Sequence, residues 1–286
     1  MPNTQDLRRK IKSVQATGKL TRAMQMVAAS KMSKAVQAVT ASRAYADLAW
    51  SILGRLATRT EFTHPLFISQ PAGRPAIVII TSNRGLAGSF NSQVIRKTLS
   101  LLTPETEIIS VGRKGLTYFK RFKATHLAAD FPASNSTPRA EESSALASFL
   151  MQGFTSGEYR EIKVVYNRFL SAIHQEVTVE QVLPILHKPQ PIEVSTLSSK
   201  TEFLLEPDPA TVLAELVRRI VPLRLYQMLL DSSASEHSAR MVAMKNATDN
   251  AEELVGDLTL TYQGVRQASI TRQIIEVSSG AAVLIS

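Results

Sequence analysis

Residues 81–93, TSNRGLAGSFNSQ, come closest to a segment that could do chemistry. They form a loop with Gly85 and Gly88 between an apolar run and a helical one, a place where backbone amides can hold a phosphate. The loop lacks the Gly-Lys-Ser/Thr ending of a P-loop, and its two glycines are not the spaced triplet of a dinucleotide fingerprint. The next apolar run ends in Gly112-Arg113-Lys114, without the carboxylate that would hold a ribose. An NADP-like reading stays open, and a tight structural turn fits the same residues better. Glu141-Glu142 and Glu252-Glu253 are adjacent on helical patterns, so their side chains diverge and read as solvated faces rather than acid/base pairs. None of the serines sits in a nucleophile elbow or beside a His. The five His, at 64, 126, 174, 187 and 237, lack metal-binding spacing, and the absence of Cys excludes thiolate and disulfide chemistry. The sequence therefore predicts no catalytic side chains, no cofactor and no metal site.

Charge is distributed very unevenly. The first 60 residues hold 11 Lys and Arg against Asp6 and Asp47, a balance of +9, which equals the net charge of all 286 residues. Such a segment admits four readings. Nucleic acid would be bound through phosphate neutralisation, although Tyr45 and Trp50 are the only aromatics there to stack on bases. A membrane surface would need a bulkier apolar face than Ala, Ser and Met supply. An acidic protein partner suits a basic helix at least as well, and a solvated face with no partner is the plain alternative. No apolar run approaches the roughly 20 residues that cross a bilayer, pieces such as AIVII being short. MPNTQDLRRKIK has no apolar signal core and merges into a helical pattern, so it is not read as a removable leader.

The elements that must position these residues fall into three segments, 1–60, 74–195 and 208–286. In the first, Met24, Ala28, Met32, Ala35, Val39, Ser42, Ala46, Ala49, Leu53 and Leu56 recur at alternating steps of mostly 4 and 3, the seam of a helix packed along another. Leu7, Ile11 and Val14 keep that rhythm, and Thr17-Gly18 interrupt it, which predicts a register shift or bend. About 50 helical residues at about 1.5 Å each give about 75 Å. The matching seam is Met241, Met244, Thr248, Ala251, Val255, Leu258, Tyr262 and Val265, and the pairing of the two chain ends is expected to be antiparallel. Between them lie strand 76–82, helix 91–102, strand 107–112, helix 116–123, a weaker strand at THLAAD, helix 140–154, and two strands at EIKVVYNRFL and EVTVEQVLP. That order predicts a mostly parallel, Rossmann-like sheet of about five strands. The fold class is thus α/β: a long antiparallel coiled coil of the terminal helices plus a central Rossmann-like domain. EPDP should cap the last helical region, and Pro222 should kink or restart it.

The terminal segments LRRKIKSVQATGKLTRAMQMVAASKM and SARMVAMKNATDNAEELVGDLTLTYQGVRQASITRQIIEVSSGAAVL resemble the gamma subunit of F-type ATP synthases. The likeness covers essentially the whole chain, with TSNRGLAGSFNSQV, SVGRKG and LEPDP in the corresponding places. It implies a central-stalk rotor: a non-catalytic shaft inside a ring of three alpha and three beta subunits, coupling ion flow through the membrane c-ring to ATP synthesis or hydrolysis at beta-subunit sites. The partners it implies are the alpha, beta and epsilon subunits and the c-ring, with one copy per complex, no nucleic acid, and membrane association only through the complex. By matching position, Arg266, Gln267, Thr271 and Glu276 are the expected beta-subunit contacts of the C-terminal helix, and Met24 that of the N-terminal helix. The implied location is the cytoplasmic side of a bacterial membrane, ahead of the matrix side of a mitochondrial inner membrane. The chain departs from the family pattern at Asn83, where Asp is usual, at Ala87 and Ser89, where Cys and Gly are common, at Gln273, where Glu is frequent, and at Pro222. The readings from other classes are a basic coiled-coil scaffold or nucleic-acid binder, then a dinucleotide enzyme.

Overall fold

A computed structural model describes residues 3–59, 65–68, 70–121, 126–185, 206 and 208–285. The chain begins with α1, Thr4–Arg59, and ends with α5, Pro209–Ile285. Between them, after a short 3-10 turn at Pro65–Phe67, come β1 (Arg74–Ile80), α2 (Phe90–Leu99), β2 (Glu107–Val111), α3 (Arg113–Phe119), β3 (His126–Phe131), α4 (Ala140–Thr155), β4 (Tyr159–Phe169) and β5 (Gln175–Leu183). Compactness divides the chain into two units, Met1–Ala28 with Met241–Ser286, and Ala29–Arg240, so that each long helix contributes to both.

In the unit Ala29–Arg240 the strands are ordered β3-β2-β1-β4-β5, parallel except for β5, which runs antiparallel to β4. β1 is buried on both faces after its first residue, which is why its sequence RPAIVII reads as a continuous apolar run. Its alternate residues feed two cores. Ile77 and Ile79 pack with Ile108, Val165, Val94 of α2 and Phe119 of α3. Ala76, Val78 and Ile80 join the larger core, where α4 supplies Leu146, Leu150 and Phe154, α5 supplies Val217, Val221, Leu225 and Met228, and α1 supplies Leu53. Leu53 is fully buried, so its truncation to Ala should cost about 2–5 kcal/mol.

The expected α/β sheet and paired terminal helices are present, with ends that shift by a few residues. β1 stops at Ile80: the Thr81 hydroxyl donates to the Val111 carbonyl at the end of β2, and the Ser82 hydroxyl to the Arg84 carbonyl in the following loop. Two expectations are corrected. α5 does not restart at Pro222 and continues as one helix. The missing N–H costs one helical bond, and the flanking Ile220, Val221 and Leu225, all buried in the larger core, hold the segment in place. The second concerns Thr17-Gly18, where a register shift or bend was expected and the covered positions Val14, Gly18 and Thr21 keep the seam's steps of 4 and 3 along one continuous α1. Gly18 belongs to the seam: a Cβ there would lie 3.4 Å from that of Ala251, so the residue permits close helix approach rather than interrupting the pattern.

Candidate partner-binding surface

The loop after β1 is closed on itself. The first three amides of α3 are all taken: Arg113 N donates to Asn83 Oδ1 (3.2 Å), Lys114 N to the Ser82 carbonyl (3.0 Å) and Gly115 N to Thr81 Oγ1 (2.9 Å). Gly112 has φ +93°, and a Cβ on it would sit 2.1 Å from the Thr81 carbonyl oxygen, so this crossing of loop and helix start needs glycine. Asn83 also donates from Nδ2 to the Ala133 carbonyl (2.6 Å) and to Asn135 Oδ1 (3.2 Å). These two donations are open to Asn and closed to an ionised Asp, a physical reason for the departure at this position. The first three amides of α3 are thus used within the chain, while at α2, the helix that TSNRGLAGSFNSQ itself enters, the Phe90 amide donates to the Ala87 carbonyl (3.2 Å).

The same loop is fastened to α5. Arg240 reaches the carbonyls of Arg84 (3.4 Å) and Gly85 (3.3 Å), pairs with Glu236 (2.8 Å) and donates to His237 Nδ1 (3.3 Å). Because Arg only donates, Nδ1 must accept and the imidazole proton sits on Nε2. Burial, with Arg240 and Lys31 nearby, lowers the His237 pKa from 6.5 to about 4. Burial raises that of Glu236 against the pull of Arg240. His126 and His174 are exposed, while His64 and His187 lie outside the described residues. Among the described residues no cluster of three or more His, Asp or Glu is arranged to hold a metal ion, and no helix is long and apolar enough to cross a membrane.

In the other unit the helices pair antiparallel. Gly18 faces Ala251, Thr21 Oγ1 and Thr248 Oγ1 are 2.7 Å apart, and Arg22 pairs with Glu252 across the exposed edge. The two hydroxyls are buried, and they also approach the Gly18 carbonyl (3.0 Å) and the Met244 carbonyl (2.8 Å). With two protons for three contacts, the pair shares its protons rather than leaving either oxygen bare. The seam Met244, Thr248, Ala251, Val255, Leu258, Tyr262 and Val265 is buried or half-buried throughout, and from Arg266 to Ser279 every residue is exposed.

Arg266, Gln267, Thr271 and Glu276 all lie in that exposed stretch, and Met24 is half-buried in the coil. They do not form one patch. At about 100° per residue Gln267 and Thr271 share a face about 40° wide, Arg266 is about 100° from Gln267, and Glu276 is on the far side. Ile270, Ile274, Ile275 and Val277 are exposed between them. This is a helix end that offers different chemistry in each direction.

Sequence reading missed a set of buried charges in the unit Ala29–Arg240. Asp231 of α5, 3% exposed, accepts from Arg43 of α1 (2.5 Å), from Gln227 (3.5 Å) and from the Phe169 amide of β4 (3.4 Å), while Arg43 also donates to the Phe169 carbonyl (3.1 Å). Arg224 of α5 bridges Asp47 of α1 (2.6 Å) and Glu180 of β5 (2.7 Å), and its guanidinium lies 5.9 Å from the centre of the Trp50 ring. Tyr166 of β4 donates to the other Glu180 oxygen (3.3 Å). Burial alone would lower the Arg224 pKa, and the Glu180 carboxylate reverses that to a net rise, whereas burial raises that of Asp231. Only the charged residues inside helical patterns that otherwise read as solvated could have signalled this.

Terminal helices paired as an antiparallel coil, with a five-stranded α/β domain between them in the sequence, define the class: a coiled-coil protein with a central Rossmann-like sheet. Residues 3–284 match the protein family described as ATP synthase. The ATP synthase gamma chain of Roseiflexus castenholzii is 39% identical over 99% of both chains, and that of Stenotrophomonas maltophilia is 37% identical over 99% of this chain and 100% of its own. In fold, the chain is similar to a chain in the rotor structure of Euglena gracilis mitochondrial ATP synthase, with TM-score 0.67, 20% identity and coverage of 93% and 98%. It is also similar to one in the central stalk/c-ring structure of the Tetrahymena thermophila enzyme, with TM-score 0.60, 24% identity and coverage of 80% and 99%. The chain belongs to the ATP synthase gamma-chain family.

Proposed function

We propose that this chain is the non-catalytic rotor shaft of an F-type ATP synthase, coupling ion flow through a membrane c-ring to ATP synthesis or hydrolysis at beta-subunit sites. The observation that carries the reading is the end of α5, exposed from Arg266 to Ser279 with a different set of side chains on each side. A shaft inside a ring of three alpha and three beta subunits must offer each beta subunit something different at one moment. In this reading Arg266, Gln267, Thr271 and Glu276 meet beta subunits in turn, with Met24 bearing on one from the N-terminal helix. The basic first segment favours acidic partner surfaces over nucleic acid. Segments 1–60 and 208–286 act as the shaft, and 74–195 together with the lower end of the coil carries the contacts with epsilon and the c-ring. The chain occupies the cytoplasmic face of a bacterial membrane, held there through the complex, one copy in each. Mixing it with alpha and beta subunits tests the proposal: an ATPase-active complex is expected, and its failure to assemble would overturn the reading.

A further inference from the structure

We propose that two charge knots, each built on one buried residue, Asp231 with Arg43 and Arg224 with Asp47 and Glu180, are positioning residues that carry torque between the sheet and the helix pair; this rests on the rotor reading above. Each knot ties three elements at once. The first joins α1, α5 and the main chain of β4, and the second joins α1, α5 and β5, with β4 added through Tyr166. Arg224 and Asp231 are seven residues apart on α5, and Arg43 and Asp47 one turn apart on α1, so the knots stand side by side along one helix–helix–sheet junction.

Around the knots the junction is mainly apolar, with Val217, Val221, Leu225 and Met228 of α5 in one core with Val164, Tyr166 and Val182 of the sheet, and its other polar links are neutral: Ser42 to Gln227 (2.7 Å) and Ser235 to the Asn167 carbonyl (3.1 Å), each weaker than a charge-assisted bond. Apolar burial is favourable in proportion to area and has no direction, so it opposes separation more than sliding. A load that rotates the helices relative to the sheet is a sliding load. Charge-assisted hydrogen bonds at 2.5–2.7 Å lose their energy when the partners shift sideways, and an Arg that grips two acceptors fixes orientation as well as distance. Stability gives little reason to bury these groups: Asp231 is 3% and Arg224 8% exposed, and apolar replacement of buried ion sets is often neutral or stabilising. The second knot also carries one more carboxylate than cations. A cost of that kind suits a device that must hold geometry under load.

The test replaces the second knot by apolar residues of similar size in the full chain, the triple variant D47L/E180M/R224M carried together with Y166F so that no buried hydroxyl is left unpaired, beside the milder D231N, which keeps the shape and removes the charge. Each is assembled with alpha, beta and epsilon subunits and a c-ring in sealed vesicles, and ions pumped per ATP hydrolysed are measured with and without an opposing ion gradient. The expected result is a complex that still hydrolyses ATP, with a pumping ratio reduced at least about twofold and falling further under the opposing gradient, while the thermal midpoint of the isolated triple variant stays near that of the wild type. A merely structural role moves the thermal midpoint and leaves the ratio of assembled complexes unchanged. Pumping ratios equal to wild type in D231N and in the triple variant overturn the proposal alone. A wild-type chain that gives no pumping complex overturns the rotor reading and the proposal with it.

Discussion

Acidification should destabilise this chain through His237, and the size of the effect can be worked from its surroundings. The ring is 5% exposed, its Nδ1 accepts from Arg240, and Lys31 adds a second positive charge, so the folded protein holds it neutral with a pKa of about 4 against 6.5 for the free side chain. Between those two values the unfolded chain binds the proton and the folded chain does not, so stability rises with pH there and falls as pH is lowered. The contribution is fully present above about pH 6.5 and fully lost below about pH 4; its ceiling is about 3 kcal/mol, of which about 2 kcal/mol is gone by about pH 4.5. Glu236 and Asp231, whose pKa values are raised, act in the opposite sense, gaining protons in the folded state as pH falls. The measurement must therefore be a difference. Urea unfolding of wild type and His237→Gln at about pH 7, 5.5 and 4.5 should show the wild type losing about 2 kcal/mol more than the variant across the range. Parallel losses in the two proteins would refute the argument that burial and the Arg240 contact keep this ring neutral.

Four further outcomes are expected. Asn83→Asp should cost about 1–3 kcal/mol in thermal or urea unfolding, because a carboxylate would face the Ala133 carbonyl and Asn135 Oδ1, and an unchanged midpoint would count against that geometry. In a double-mutant cycle, Thr21→Val or Thr248→Val alone should cost about 1 kcal/mol, while the two together cost less than their sum because neither hydroxyl is then left behind. Additive losses would show that the two hydroxyls do not share protons. Arg266→Ala with Gln267→Ala should leave the unfolding of the isolated chain within about 0.5 kcal/mol of wild type, since both residues are exposed. In the assembled complex the same pair should lower the rate of ATP synthesis, and full activity would remove them from the beta-subunit contacts. Met24→Lys should add a charged contact that holds the shaft and reduce ion pumping per ATP hydrolysed. Unchanged coupling would refute that role.

The seams of α1 and α5 were legible because burial in a two-helix coil repeats at steps of 3 and 4: Ala28, Ala35, Val39, Ala46 and Leu53 are all buried, and so are Met244, Thr248 and Ala251. β1 and β2 were legible as short apolar runs for the same reason, that both faces of a central parallel strand are covered. Gly18 was misread because a small residue at a seam and a break in a seam look alike until the facing residue, Ala251, is known. Pro222 misled because local propensity says nothing of Val221 and Leu225, whose burial holds the helix together. The knots around Arg224 and Asp231 escaped because their partners come from four elements, Asp47 and Glu180 being separated by most of the sheet domain in sequence. The beta-contact candidates rest on resemblance alone, since exposure of Arg266 or Thr271 has no periodic signature.

The bare end of α5 has a consequence for how such a protein is made. Ile270, Ile274, Ile275 and Val277 are between 43% and 73% exposed on a helical stretch that lies beyond the coil seam. Exposed isoleucines are a liability for any chain waiting in solution. A cell that synthesised this chain in excess of the subunits that surround it would accumulate these exposed apolar side chains without a cover. Matched synthesis of all the chains that enclose that end is therefore a requirement written into the side chains themselves, before any question of rotation arises.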